Sequence, residues 1–453
     1  MLALFTEKVY HTQRKPTTFK EIFMDPLILE GLKRGYTAYQ ASEYVKEKLK
    51  KAGFTELFEF EAYQIKEGRK YFVTRGDTAI FAFTVGGKDP KTGVRPAKIV
   101  ASHLDSPALK LKYEPVTDAA GVKKLNVETY GGGIWSTFTD VPLKIAGRVV
   151  VKNGGELISK SYVDPHLYVI PNVAIHMNRK ANDGFVYNPQ VDLGVLFSEV
   201  VGNDYFKHLA GNDEEVVDYD LFAVNATEPF FAGAAEEFLC AGRLDNQVSA
   251  YASLSALLSQ KPGDVPGISG CLFADHEEIG SRTREGAASD FLTATLSRVL
   301  KSLGESEEEM QRTAACSFVV SADNAHGAHP NHPELSDPTN KVTLGGGVVI
   351  KHHANRNYTT DALSSALFSE ILKRAGVKTQ HFFMRSDLRC GSTLGTISSA
   401  QFPAMSVDIG AAQLAMHSSL ETMAAADADA YTDGLKAFFG ADFSVTEKGF
   451  LLK

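Results

Sequence analysis

Cysteine is scarce in this sequence: the four present, Cys240, Cys271, Cys316 and Cys390, are widely spaced and form no CxxC pair. That pattern excludes a disulfide framework, and three of the four sit in or beside apolar runs, so they read as buried thiols in a reducing compartment. Long hydrophobic runs are missing too; none approaches the ~20 residues that a membrane helix needs. The opening "MLALFTEKVYHTQRK" has no long apolar core behind a basic start, so it does not read as a secretory signal. Positive charge is in deficit, with 47 Lys and Arg against 55 Asp and Glu, a formal charge of −8. This argues against nucleic acid or an anionic membrane as the main partner, and an acidic substrate would need a local basic pocket. Internal repeats and low-complexity tracts are lacking. The glycine loop "YGGGIW" (130–135) is flexible by composition, but no GxGxxG or GK[ST] follows it, so a phosphate cradle is not expected. Trp135, the single tryptophan, reads as the anchor of that loop. The expectation is a cytoplasmic enzyme.

What is present is the material of a large globular chain. A hydrophobic share of 44% over 453 residues buries a sizeable core and suits two domains. From Thr37, the apolar positions Ala38, Ala41, Val45, Leu49 and Ala52 recur at helical spacing, and Gly53 supplies a C-cap. "TAIFAFTVGG" and "PAKIVASHLDS" read as strands, the latter short and branched as a buried strand should be. Between Ser106 and Glu237 short β-like runs such as "PLKIAGRVVVKNGG" and "HLYVIPNVAIHMNR" alternate with turn residues. The α/β alternation then returns. "DNQVSAYASLSALLSQ" and "TDALSSALFSEILKRAG" read as helices, and "SGCLFADH", "ACSFVVSAD", "QHFFMR" and "FPAMSVDIG" as strands. The chain therefore divides into an α/β domain of residues 1–105 and 238–453, interrupted by a β-rich domain of residues 106–237.

The chemistry is placed by position. "KIVASHLD" ends in His103 and Asp105, "GCLFADHEE" in Glu277 and Glu278, and "ACSFVVSAD" in Asp323. His417 follows the strand of "AMSVDIGAAQLAMHS", and Asp245 in "GRLDNQ" opens a helix. In α/β sheets the carboxyl ends of strands line the ligand crevice, so these residues can converge from distant parts of the chain. Each has a bland reading alone: a capped turn for HxD, a solvated turn for the glutamate pair, a helix cap for Asp245, a core histidine for His417. Together they make one site more economical than five separate explanations. Imidazole plus carboxylate is ligand chemistry for zinc and neighbouring transition ions. One of two adjacent glutamates can then ligate while its neighbour moves protons, and spacing does not say which.

The segments "ASHLDSP" (101–107), "YGGGIW", "IPNVAIHMNR" (170–179), "GRLDN" (242–246) and "DHEEIGS" (275–281) are joined by "SADNAHGAHPN" (321–331), "VIKHHANRNYTTDA" (349–362), "RCGSTLG" (389–395) and "QLAMHS" (413–418). In this order, across nearly the whole chain, they resemble the aspartyl aminopeptidase family of metallopeptidases. The resemblance implies a three-layer α/β/α metallopeptidase domain with a mixed sheet, and an inserted β-rich domain that mediates dimerisation. It implies two divalent metal ions per subunit, zinc first, with manganese or cobalt as alternatives. Asp245 would bridge both ions, His103 and Asp323 would complete one, and Glu278 and His417 the other. Asp105 would orient His103, and Glu277 would be the general base. Lys351, His326 and Tyr358 match positions that contact substrate, and His176 matches a residue contributed by a neighbouring subunit. On their own these four read as a surface lysine, a turn histidine, a half-buried packing tyrosine and a core or interface histidine. The activity implied is removal of N-terminal Asp or Glu from peptides, inside a tetrahedral dodecamer built from dimers. Two rivals stand beside it: the same dinuclear core with non-acidic specificity, and a non-catalytic assembly or cargo protein, against which the intact Glu277 and ligand set argue.

Overall fold

The computed structural model describes residues 24–209 and 214–453, so the opening "MLALFTEKVYHTQRK" lies outside the described residues. Among these residues the largest sheet has nine strands. Their spatial order is Thr55–Leu57, Lys70–Arg75, Ala79–Val85, Ile268–Ala274, Ala97–His103, Phe318–Ala322, Met405–Gly410, Val348–His352 and Thr379–Phe383. The central strands from Ile268–Ala274 to Met405–Gly410 run parallel. Ala79–Val85 and Val348–His352 flank them antiparallel, so the sheet is mixed.

Every residue of Ala97–His103 and Ile268–Ala274 is buried, as a parallel sheet covered on both faces requires. Alternation along the strands sorts side chains between two cores. Ile80, Ala82 and Val100 pack with residues of the helices Pro26–Arg34, Ala38–Lys51, Leu244–Leu258 and Ala425–Gly440. Phe81, Phe83 and Ile99 pack with the helix Phe291–Ser302 on the other side. The result is a three-layer α/β/α arrangement. Local signals agree with it: the Thr37 hydroxyl accepts from Tyr39 N–H at 3.3 Å and opens the helix Ala38–Lys51. That helix closes on Ala52, one residue before the expected glycine, and Gly53 follows in the left-handed region at φ +81°.

Strands within residues 108–225 form a six-stranded antiparallel sheet with its own core, including Leu109, Val127, Ile145 and Leu221. A five-stranded sheet joins Phe230–Ala232, Phe238–Ala241, Glu421–Ala424, Ala412–Leu414 and Ala325–His326. Phe230–Ala232 pairs there with Phe238–Ala241, apart from the six-stranded sheet. One β-like run behaves differently: in "HLYVIPNVAIHMNR" Tyr168 and Val169 make isolated bridges, and residues 171–187 contain no strand. Residues 171–177 are all exposed, so no face among the described residues buries their alternation, and β propensity without such a face does not hold a strand.

Candidate metal centre

The parallel strands end on one side of the sheet, and the chemistry-bearing residues follow those ends. His103 closes Ala97–His103, Asp323 directly follows Phe318–Ala322, and Glu277 and Glu278 begin a short 3-10 turn, Glu277–Ile279, beyond Ile268–Ala274. His417 lies between the strands Ala412–Leu414 and Glu421–Ala424. Asp245 falls inside the span Leu244–Leu258, but at φ −82° and ψ 109° it is not helical, and Asn246 after it is not helical either.

These residues meet. His103 Nε2 is 3.7 Å from Asp245 Oδ1 and 3.8 Å from Asp323 Oδ1. His417 Nε2 is 3.4 Å from Asp245 Oδ2 and 3.3 Å from Glu278 Oε2. Two groups able to hold an ion result, His103–Asp245–Asp323 and Asp245–Glu278–His417, sharing Asp245. Within each group the ligand atoms lie within 4.8 Å of one another. Asp245 Oδ1 and Glu278 Oε1 are buried with no hydrogen-bond partner. A buried anionic oxygen without a donor is costly unless a cation sits against it, so the residues fit a metal pair.

Both imidazoles are fixed from behind. His103 Nδ1 lies 3.3 Å from Asp105 Oδ1 and 3.1 Å from the Asp105 carbonyl, and His417 Nδ1 donates to the Gly132 carbonyl at 3.1 Å. With Nδ1 so engaged, Nε2 of each ring faces the carboxylates, the orientation a metal ligand needs. The glycine loop, flexible by composition, thus supplies a carbonyl to the site. Asp105 does more than orient His103. It accepts Glu277 N–H and Glu278 N–H, each at 3.1 Å, and the Tyr130 hydroxyl at 2.8 Å.

The electrostatics follow from crowding buried acids. Burial pushes the Glu277 carboxyl up to about 8; the charges of Asp323, Asp105 and Asp245 act the same way and His103 opposes them. Burial, then the Asp245 charge, raises Glu278 well above the carboxylate range. Burial alone would raise Asp323, but the Lys351 ammonium and His103 outweigh it and hold the carboxyl low. His417 rises to about 10: burial opposes the charge, and the Asp245 hydrogen bond and Glu278 charge prevail.

Lys351, expected on its own to be a surface lysine, is buried; its Nζ donates to the Asn324 carbonyl at 3.0 Å and stands 3.9 Å from Asp323 Oδ2. It lies 5.1 Å from the centre of the Tyr358 ring, and Tyr358 is buried against Phe382. His326 lines a cleft with Val342, Phe382, Met384, Leu388 and Met416. His176 does not join the cluster: it is exposed on a turn beyond the six-stranded sheet. Two contributors carry no clear sequence signal. Tyr130 belongs to the "YGGGIW" motif without an expected role there, and Glu421 does not stand out, although an acid inside the apolar "SLETMAA" is a signal of sorts. Glu421 is buried and accepts Asp245 N–H and His417 N–H.

A family model described as aminopeptidase I zinc metalloprotease (M18) matches residues 32–439. The chain belongs to the M18 family. A probable M18 family aminopeptidase 2 of Clostridium novyi (strain NT) is 39% identical over 91% of this chain and 96% of its own length. A probable aspartyl aminopeptidase of Ricinus communis is 33% identical over 93% of this chain and 96% of its own. The cryo-EM structure of the Ape4 and Nbr1 complex contains a chain 32% identical, with a TM-score of 0.87 over 91% of this chain and 84% of that one. The M18 family is one of zinc metallo-aminopeptidases, and His103, Asp323 and Glu278 of the two carboxylate–imidazole groups follow strand ends of the mixed sheet.

Proposed function

We propose that this chain is a dinuclear zinc aminopeptidase that removes acidic residues from peptide N-termini. The observation that carries the two-metal reading is Asp245, whose carboxylate stands between His103 Nε2 and His417 Nε2 while one of its oxygens is orphaned. His103, Asp245 and Asp323 would hold one ion, and Asp245, Glu278 and His417 the other. Bound zinc supplies a Lewis acid for the scissile carbonyl and brings the pKa of water towards neutrality. Glu277 belongs to neither group and is free to work with protons. Its carboxylate takes the proton of the attacking water and returns it to the leaving amine. Asp105 holds the Glu277 and Glu278 main chain in register, which would let Glu278 ligate while Glu277 handles protons.

The acidic preference rests on Lys351, a buried cation beside the ion groups, in a chain whose overall charge is negative. The name of the Ricinus communis relative supports the same reading. His326 and Tyr358 would complete the wall that meets the substrate. Rates on Asp-, Glu- and Leu-chromogenic substrates test this, with and without zinc; fast Leu cleavage without Asp cleavage refutes the acidic preference. In Lys351→Met, loss of one charged hydrogen bond should lower kcat/KM for Asp substrates by roughly 10- to 100-fold more than for Leu substrates, which lose only what the altered setting of Asp323 costs.

The inserted unit of residues 106–237 is assigned to dimerisation. It exposes Leu157, Val173, Ile175, Met177 and Phe185, apolar surface that a second copy would cover. His176 sits between Ile175 and Met177, so the same docking would bring it towards the partner's site. Dimers would join into the tetrahedral dodecamer that the family resemblance implies. Native mass measurement tests this, and a stable active monomer refutes it.

A further inference from the structure

A buried acid outside both ion groups touches the main chain of two of their members. Glu421 opens the strand Glu421–Ala424, opposite Ala241 of the neighbouring strand, and is 2% exposed. Its Oε2 accepts Asp245 N–H at 3.0 Å, and its Oε1 accepts His417 N–H at 2.7 Å and Gln413 Nε2–H at 3.2 Å. Both N–H groups come from residues in unusual backbone. Asp245 breaks the helix register around it, and His417 is left-handed at φ +67°, a conformation that non-glycine residues seldom hold without support. Neither N–H has a regular helix or ladder partner, and Glu421 supplies one acceptor to each.

The support continues past Glu421. Gln413 Oε1 accepts Asn324 Nδ2–H at 2.7 Å, and the Asn324 amide also donates to the Leu244 carbonyl at 2.8 Å. Asn324 directly follows Asp323, and its carbonyl holds Lys351. One buried hydrogen-bonded chain therefore runs from the His417 turn, beneath Asp245, to the strand end that carries Asp323. Such a network keeps one geometry because every member is an acceptor or donor for the next.

We infer that Glu421 is a positioning residue for metal binding: its carboxylate holds the main chains of Asp245 and His417 so that their side chains meet at one cation. This rests on the two-metal reading above. Glu421 does not itself coordinate; it stands behind the ligands, where partners of this kind are worth roughly 10- to 100-fold in metal affinity. Glu421→Gln keeps the volume but presents an amide N–H₂ to one of two N–H donors, so it can hold Asp245 or His417 but not both.

The test uses the full chain. Zinc affinity is measured by competition with a chromogenic chelator, zinc per chain after dialysis, and Tm with and without zinc. Glu421→Gln should weaken zinc binding at the Asp245–Glu278–His417 group, which holds both supported residues, by about 10- to 100-fold, lowering kcat with little change in KM. If both forms lose Tm equally and zinc affinity stays that of the unmodified chain, the role is merely structural and the inference falls. Glu421→Asp keeps charge and both acceptors but withdraws them by one methylene. It should show a smaller loss in the same direction, and serves if Glu421→Gln does not fold; unchanged zinc affinity in it also overturns the inference. His417→Ala separates the two levels. Two zinc ions retained in His417→Ala sink the ligand reading itself, whereas zinc lost there but fully kept in Glu421→Gln sinks only the positioning role.

Discussion

Replacing Asp105 with asparagine changes one atom at a point where four donors converge. Oδ1 serves Glu277 N–H and His103 Nδ1, and Oδ2 serves Glu278 N–H and the Tyr130 hydroxyl. The amide nitrogen can stand in either place. At the Oδ1 position it would oppose both Glu277 N–H and His103 Nδ1–H, so that rotamer is disfavoured. At the Oδ2 position the Tyr130 hydroxyl can turn to accept, and Glu278 N–H alone is left facing a donor. One unpaired buried N–H costs about 1–3 kcal/mol, and loss of charge assistance in the surviving bonds adds roughly 1 kcal/mol. The total of about 2–4 kcal/mol, set against an unfolding entropy near 1 kcal/mol/K for a chain of this length, lowers Tm by about 2–4 °C. Because Glu278 is a proposed ligand, zinc affinity should fall roughly 10- to 100-fold as its main chain loosens. Chelator competition and calorimetry on the zinc-loaded chain read both effects. Tyr130→Phe removes one donor and should cost only about 1 kcal/mol. An Asp105→Asn chain with unchanged zinc affinity and Tm, or a Tyr130→Phe chain as damaged as Asp105→Asn, would refute this reasoning.

Glu277→Gln should bind zinc and substrate normally yet lose roughly 10²- to 10⁴-fold in kcat, since the proposed base is removed and no proposed ligand is; full activity would end its assignment. The zinc-induced rise in Tm should grow with pH. Glu277 and Glu421 are pushed up to about 8, both chiefly by burial, and His417 to about 10 by Asp245 and Glu278 against burial. Raised folded-state values mean that the metal-free fold binds more protons than the unfolded chain. Its stability from these groups is complete below about 4.5 for the acids and 6.5 for the histidine, and drains away as pH rises through 8 to 10. Zinc favours the ionised acids and the neutral imidazole that high pH supplies, so a Tm increment that shrinks between pH 6 and 9 would contradict the electrostatic account.

Much of this site is legible in the sequence by itself. His103, Glu277, Glu278 and Asp323 each stand at the end of a short buried run, and a run of that kind reports a central parallel strand because helices must cover both its faces. The helices announce themselves through Thr37 and Asp361, side chains that cap them by accepting nearby main-chain N–H groups. These are local properties, legible because burial period and capping act within a few residues. Tertiary structure decides the remainder. Glu421, Tyr130 and the Gly132 carbonyl reach the site through hydrogen bonds across 176, 25 and 285 residues, which leave no periodic trace in the chain. Lys351 reads as a surface lysine and is buried, because the Asn324 carbonyl and Asp323 receive its charge. The alternation in "NVAIHM" promises a strand and produces an exposed turn, because none of the described residues buries it. Periodicity states which residues want burial; only the folded chain states what they are buried against, because burial partners come from segments far apart in the sequence.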